Sequence, residues 1–137
     1  MTSETPTPDV ARGAFWTGRV LSGLAIVFLL LDGVMKIARA QPVLEASAEL
    51  QIPLRVVPGL GVVLVVATLI YALPRTSVLG AILLTGYLGG ATWTHVRMGG
   101  PAFPVVFPSL IAAFVWGGLY LREPRLRSLI PLRNPRG

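Results

Sequence analysis

The chain has 137 residues, of which 53% are hydrophobic and only 13% are charged, and its mean hydropathy is +0.70. Soluble domains carry about a quarter charged residues, so this composition lacks the polar surface of a water-soluble globule. Twelve basic residues against six acidic ones give a net charge of +6. Because the basic residues lie mostly in short loops and near the C-terminus, membrane orientation explains them better than nucleic-acid binding does.

Cysteine is absent and histidine occurs once. This composition excludes disulfides, dithiol redox chemistry, thiolate zinc sites and iron–sulfur clusters held by the chain. A single histidine also excludes a haem held by two histidines of one chain. The sequence contains no P-loop, H-E-x-x-H or G-x-S-x-G motif and no acidic cluster. We therefore predict no metal site. No cofactor is evident in the sequence, so a redox role would require a bound ligand such as a quinone or a partner subunit.

Four apolar blocks of about 20 residues follow a polar N-terminal segment, and this length suits a hydrocarbon core of about 30 Å. We predict a disordered arm at residues 1–14, a transmembrane bundle at residues 15–121 and a basic tail at residues 122–137. The predicted spans are residues 15–36, 54–73, 76–98 and 103–121.

The first block also resembles a cleavable signal peptide, since Arg12 and Arg19 precede or begin it and "ARA" follows it at residues 38–40. However, Asp32 and Lys36 crowd the expected cleavage region, and the block is long enough to span a bilayer. We therefore expect a membrane span here.

The connections between blocks predict how the spans pack. Short turns at residues 74–77 and 99–104 make consecutive spans antiparallel neighbours. The long loop at residues 38–53 has room for a short amphipathic helix at residues 43–50. We predict an all-α fold, an integral membrane antiparallel four-helix bundle.

Basic residues then predict the orientation. With four spans, both termini and the 74–77 turn share one side of the membrane. That side carries Arg12, Arg19, Arg75, Arg122, Arg125, Arg127, Arg133 and Arg136, whereas the other carries Lys36, Arg39, Arg55 and Arg97. The positive-inside rule predicts cytoplasmic termini in an inner membrane.

Two stretches, "LPRTSVLGAILLTGYLGGATWTHVR" (73–97) and "WGGLYLREPRLRSLIP" (116–131), resemble the DoxX-like family of small four-span bacterial membrane proteins. The most specific part is "GAILLTGYLGGA" (80–91), and the resemblance covers residues 15–131. The wider family takes its name from the small subunit of a thiosulfate:quinone oxidoreductase, and most DoxX-like members have no assigned activity. The resemblance therefore implies a fold and a membrane location, together with a link to quinone chemistry, and supplies no catalytic motif.

The charged residues within the blocks are candidates for a site. Asp32 and Lys36 lie one helical turn apart near the outer end of the first block. The third block is parallel to the first, so His95 and Arg97 are predicted at a similar depth. A charge at mid-membrane costs about 2.5–3.5 kcal/mol, which makes pairing or function the two explanations for Asp32.

Under the functional interpretation, Asp32 and His95 are candidate catalytic or proton-handling residues, because histidine titrates near neutrality. The candidate ligand-binding residues are Lys36 and Arg97, at the outer ends of the first and third blocks, and Tyr87 and Thr94, which share one face of the third block. The structural interpretation is an ion pair of Asp32 with Lys36 or Arg97, with the basic groups reaching the headgroups and His95 as a hydrogen-bonded anchor.

Small and aromatic residues predict packing. Gly86, Gly89 and Gly90 leave one face of the third block nearly bare, which favours close helix packing and leaves a ligand slot as the alternative. Glycines of the second and fourth blocks could pack in the same way, namely Gly59, Gly61, Gly117 and Gly118. Threonines in such helices usually bond to their own helix's carbonyls. Aromatic residues near the block ends are expected in interface belts. They are Trp16, Trp93, Trp116, Tyr71 and Tyr120.

The leading functional hypothesis is a membrane protein that binds a lipophilic small molecule, with a quinone as the candidate, between its helices. It would act with a partner subunit of a redox complex or as a homo-oligomer, surrounded by membrane lipids and without nucleic acid. The alternative is a small cofactor-free isomerase, cyclase or epoxide-opening hydrolase that uses Asp32 and His95 as acid and base. A purely structural protein is the third hypothesis.

Overall fold

The computed structural model describes residues 8–130, with side chains from residue 12 onward. Over these residues the fold is all-α, which confirms the predicted fold class. The helices are α1 (Pro8–Ile37), α2 (Gln41–Glu49), α3 (Val57–Ala72), α4 (Ser77–Arg97), α5 (Ala102–Arg122) and α6 (Pro124–Arg127), with a 3₁₀ turn at Leu54–Val56 before α3.

The four long helices form a ring in which α1 and α4 occupy opposite corners. Each of these two helices packs against both α3 and α5. Neighbours are antiparallel, because the start of α1 lies against the end of α5 and the end of α1 lies against the start of α3. We call the end that holds the starts of α1 and α4 the inner end. The opposite end, which carries α2, is the outer end.

The helix α1 begins earlier than the sequence pattern predicts. It starts at Pro8, so residues 8–14, which we predicted as part of the disordered arm, are helical instead. Proline suits this position because its fixed φ matches a helix and its missing N–H would be unpaired in the first turn anyway. Residues 1–7 of the predicted arm and residues 131–137 of the predicted tail lie outside the described residues.

The turn between α3 and α4 is built by hydroxyl groups. Thr76 donates its hydroxyl to the Ile70 carbonyl at 2.7 Å, and Ser77 donates to the carbonyls of Tyr71 and Leu73 at 2.8 and 2.9 Å. These bonds satisfy carbonyls that the end of α3 would leave unpaired. The start of α4 is thereby fixed against the last turn of α3.

Three helices have the length and composition of membrane spans. Among the described residues these are Arg12–Ile37, Leu54–Ala72 and Ala102–Arg122, and only 22%, 33% and 28% of their most apolar windows are buried within the protein. Apolar surface on this scale is stable in contact with lipid chains and not with water. The fourth long helix, α4, is 21 residues long, but its second half is rich in glycine and threonine.

Close helix contacts occur at glycines, although not at the ones that we predicted for the third block. A Cβ atom at Gly61 would lie 2.6 Å from the Gly33 carbonyl oxygen, and one at Gly18 would lie 2.7 Å from that of Gly118. By contrast, a Cβ at any of Gly86, Gly89 and Gly90 meets no atom within 4 Å. The prediction that this bare face of α4 makes close helix contacts is therefore wrong within the described part of the chain, because no atom of a neighbouring helix approaches these three positions.

The core lies towards the inner end of the bundle. The buried residues of α4 end at Leu88, nine residues before the helix ends, and those of α5 begin at Pro108. The largest fully buried side chain is Tyr71, near the inner end of α3. The outer turns of α4 and α5 thus have fewer buried side chains than the inner turns.

Candidate functional site

The outer half of α1 carries an ion pair. The Lys36 Nζ donates to Asp32 Oδ2 at 2.5 Å, and the two side chains are 17% and 33% exposed. The Lys36 stem lies against α3, where a Cβ at Gly61 would be 2.8 Å from the Lys36 Cβ. The close approach at Gly61 therefore brings the pair to the α1–α3 contact, and of the two predicted partners of Asp32 the structure pairs it with Lys36.

Tyr87 extends the polar region across the bundle from α4. Its ring is partly buried and packs against the hydrophobic core. Among the described residues Tyr87 makes no hydrogen bond to Asp32, whose partner is Lys36. These two predicted site residues lie on helices at opposite corners of the ring.

The remaining predicted site residues are engaged separately. Arg97 Nη2 donates to the Leu50 carbonyl at 3.3 Å, which ties the end of α4 to the end of α2. Thr94 donates its hydroxyl to the Gly90 carbonyl of its own helix at 2.8 Å. His95 is half-buried and makes no side-chain hydrogen bond within the described part of the chain. The four charged or titratable residues at the outer end do not form one hydrogen-bonded cluster over residues 12–130.

Next to Tyr87, a groove runs between α3 and α4 on the outside of the bundle. It has a volume of about 490 Å³. Its walls are almost entirely apolar and come from Val62, Val63, Val66 and Ala67 on α3 and from Ile82, Leu83, Gly86 and Tyr87 on α4. We call it the α3–α4 groove. The bare position at Gly86 contributes to its depth, so this glycine borders a groove and makes no helix contact.

The sequence of the bundle matches a known family. A family model described as the DoxX-like family matches residues 20–118, which cover most of α1 through most of α5. The chain belongs to the DoxX-like family. A search of curated proteins and a search of solved structures each returned no match.

Together, family and helices make this DoxX-like chain a multi-pass integral membrane protein. The family model covers all three helices that are long and apolar enough to cross a membrane, at least in part. The Asp32 and Lys36 side chains on α1 therefore lie in a segment surrounded by lipid. There each of them needs a partner within the protein or a ligand.

The DoxX-like chain also holds a polar network at its inner end that the sequence did not lead us to predict. Arg122 Nε donates to Ser22 Oγ at 3.1 Å, Ser22 Oγ is 2.8 Å from the Tyr71 hydroxyl, and that hydroxyl donates to the Val115 carbonyl at 2.7 Å. Because the Tyr71 proton goes to Val115, Ser22 donates to Tyr71. The network joins α1, α3 and α5.

This network corrects the prediction that Tyr71 lies in an interface belt. The Tyr71 side chain is fully buried, and its hydroxyl has partners on two other helices. A signal was present in the sequence, because Ser22 is a polar residue inside an apolar block and a polar group at membrane depth requires a partner. The identity of that partner depended on the register of α1 against α3.

Threonines behave as expected in the DoxX-like bundle. Thr85 and Thr92 donate to the Ala81 and Leu88 carbonyls of their own helix at 2.7 and 3.0 Å. In addition, Trp116 donates its indole N–H to the Thr85 hydroxyl at 2.7 Å. This bond joins α4 to α5 on the inner side of Tyr87.

Proposed function

We propose that this DoxX-like protein binds a lipophilic small molecule with a polar head group, a quinone being the candidate, in the α3–α4 groove. The observation that carries the proposal is the groove itself, which is apolar, lies on the lipid-facing surface and has Tyr87 as its one hydroxyl-bearing wall residue. Ligand sites are typically apolar concavities with a few placed polar groups. The volume of about 490 Å³ falls in the usual range for such sites.

The position of the groove suits a molecule that is dissolved in the membrane. Most residues of its walls are exposed, so a ligand could enter sideways from the lipid without passing through water. A quinone has a long apolar chain and a ring with two carbonyl oxygens, and the chain suits the valine and leucine walls. The Tyr87 hydroxyl would donate a hydrogen bond to one carbonyl oxygen.

The charged pair on α1 supports a polar head group at this depth. Lys36 donates to the Asp32 carboxylate in the outer half of α1, so the outer half of the bundle carries a charged pair besides Tyr87. Under this proposal Tyr87 contacts the ligand, whereas Asp32 and Lys36 do not line the groove. His95, Thr94 and Arg97 lie further towards the outer end and remain candidates for guiding ligand or protons.

We also propose that α4 is a fourth membrane span, with both termini in the cytoplasm of a bacterial inner membrane. Packing supports this, because α4 lies antiparallel to both α3 and α5, which have the composition of spans, and completes the ring. The excess of arginines at the inner end supports the orientation. A role as accessory subunit of a redox complex follows only from the family resemblance.

The groove can be tested with a matched pair of variants. Gly86→Leu places a side chain into the α3–α4 groove, whereas Gly90→Leu adds the same side chain one turn away, outside it. Both positions have open space for a Cβ, so both variants should fold. Native mass spectrometry of protein released from nanodiscs that contain a long-chain benzoquinone measures the bound fraction.

We expect wild type and Gly90→Leu to retain the benzoquinone and Gly86→Leu to bind at least about tenfold more weakly. Tyr87→Phe should weaken binding by about three- to tenfold, the value of one hydrogen bond. Equal retention by wild type and both leucine variants, or no retention by wild type, would refute the proposal.

The alternative, a cofactor-free enzyme that uses Asp32 and His95, has less support. An acid–base pair acts on one substrate and therefore converges on one space. Asp32 is engaged with Lys36 on α1, and His95 shares no hydrogen bond with it among the described residues. Turnover by the isolated protein, lost in His95→Gln, would favour the enzyme.

A further inference from the structure

The inner end of the bundle carries a second pocket, separate from the α3–α4 groove. It has a volume of about 650 Å³ and lies where the start of α1, the α3–α4 turn and the α5–α6 junction meet. Four arginines line it against one acidic residue, Glu123. They are Arg19, Arg75, Arg122 and Arg125. The charge of the lining therefore suits an anion.

Two of these arginines are held in place by the protein. The Arg122 guanidinium lies 5.4 Å from the centre of the Tyr71 ring, and its Nε donates to Ser22, so its two terminal nitrogens can donate to a ligand. The Arg19 guanidinium lies 5.5 Å from the centre of the Phe15 ring. Such cation–π contacts orient the planar guanidinium, whose fork of N–H groups matches phosphate oxygens.

The single acidic residue does not neutralise the pocket. Glu123 Oε1 accepts the backbone N–H of Arg125 at 3.2 Å, so its carboxylate caps the start of α6. The one ion pair among the described residues is Asp32–Lys36, at the other end of the bundle. The arginines of the pocket keep an excess of positive charge.

The rest of the lining is apolar. Phe15, Val78, Leu119, Leu126 and Leu129 contribute apolar side chains to the walls. The pocket is thus amphipathic, with guanidinium groups beside hydrocarbon. It also sits at the level where α3 and α5 end, which in a membrane is the level of the headgroups.

We propose that this pocket binds one anionic phospholipid, with the phosphate between the arginines and an acyl chain against the apolar wall. Basic pockets between helices at a membrane surface provide the charge and geometry that such headgroups require. A free phosphate ion matches only the guanidinium groups and leaves the apolar wall without a partner.

The test compares two double variants that each remove two positive charges. Arg19→Gln/Arg75→Gln removes charge from the pocket and spares Arg122, whose Ser22 contact belongs to the buried network. Arg39→Gln/Arg55→Gln removes the same charge from exposed residues at the outer end. Full-length protein is purified from nanodiscs of equal parts phosphatidylglycerol and phosphatidylcholine, and retained lipids are counted by native mass spectrometry.

We expect one phosphatidylglycerol per wild-type chain in preference to phosphatidylcholine. The pocket variant should bind it about tenfold more weakly, and the outer-end variant should match wild type. Added inorganic phosphate should not displace the lipid. Equal retention of both lipids, an equal loss in both variants, or displacement by inorganic phosphate would overturn the proposal. Circular dichroism of both variants checks that a loss of lipid is not a loss of fold.

Discussion

At the scale of single residues, Tyr71 shows how a membrane bundle satisfies a buried hydroxyl. It is fully buried, and its hydroxyl is the third member of the chain Arg122–Ser22–Tyr71–Val115. Because the donors and acceptors follow one another in one direction, each group in the chain has a partner. The network links α1, α3 and α5 at the inner end, where the core is also most complete.

Tyr71→Phe should destabilise the bundle by about 1 kcal/mol. The loss is modest because the Val115 carbonyl keeps its place in the α5 helix and Ser22 keeps its bond from Arg122. The measurement is the free energy of unfolding in an SDS titration of micellar protein, followed by circular dichroism. Tyr120→Phe is the control, since Tyr120 is exposed and loses no described hydroxyl bond. Equal effects of the two substitutions would show that the network contributes no stability.

Residue chemistry decided which parts of the candidate site were predictable. The spacing of Asp32 and Lys36 along one helix predicted that they share a face and made Lys36 one of two possible partners, Arg97 being the other. The choice between these partners required the packing of the helices, and the burial of Tyr71 required the register of α1 on α3. A residue near the end of an apolar block can lie at the membrane interface or inside the helix bundle, and the sequence alone does not distinguish these two environments.

At the scale of helices, the contact of α1 with α3 depends on two small residues. A Cβ at Gly61 would approach the Gly33 carbonyl oxygen to 2.6 Å, and that atom belongs to the backbone and has no rotamer to change. Lipid provides little hydrophobic drive between helices, so the close packing of backbones supplies much of their attraction. This contact also positions the Asp32–Lys36 pair.

Gly61→Ala should therefore force α1 and α3 apart and lower the free energy of unfolding by about 1–3 kcal/mol. Gly59→Ala is a matched control on the same helix, because a Cβ at Gly59 meets no atom within 4 Å. The control should be neutral or slightly stabilising, since alanine favours a helix more than glycine does. Thermal unfolding of both variants in the same detergent gives the comparison. A loss of stability in Gly59→Ala as large as in Gly61→Ala would contradict this account.

The positions of the helices were easier to predict than the faces through which the helices pack against one another. Long apolar runs and the prolines and glycines between them located the helices, because a bilayer fixes the length of a span. The glycines of α4 were misassigned for a physical reason: a glycine favours close approach wherever it lies, and it does not specify which neighbour approaches. The helix faces that do meet use Gly18 and Gly33 of α1, and nothing in the sequence around these two glycines distinguishes them from the others.

At the scale of the whole molecule, the topology follows from the ring of four helices. If α4 crosses the membrane, α2 lies on one side and α6 on the other. If α4 does not cross the membrane, α5 is the third span and places α6 on the same side as α2. The native chain has no cysteine, so a single introduced thiol is a unique label.

We expect Ala46→Cys, in α2, to react with a membrane-impermeant maleimide on intact cells. Ser128→Cys, after α6, should react only once the membrane is permeabilised. Both residues are exposed, so labelling reports the side of the membrane and not burial. Labelling of both thiols from outside would show that α4 does not span, and the reverse pattern would invert the proposed orientation.

The uneven core has a consequence for how the molecule moves. Past Leu88, the last nine residues of α4 contribute no buried side chain, and Pro108 deprives α5 of one backbone hydrogen bond in the same half. Local unfolding follows the density of buried contacts, so the inner half behaves as one cooperative unit and the outer half fluctuates first. Tyr87 lies at the boundary between the two. A lipophilic ligand at that boundary would therefore contact the rigid inner half on one side and the more mobile outer half on the other. It would exchange with the bilayer when the outer ends of the helices unfold locally, so no separate gating segment is needed.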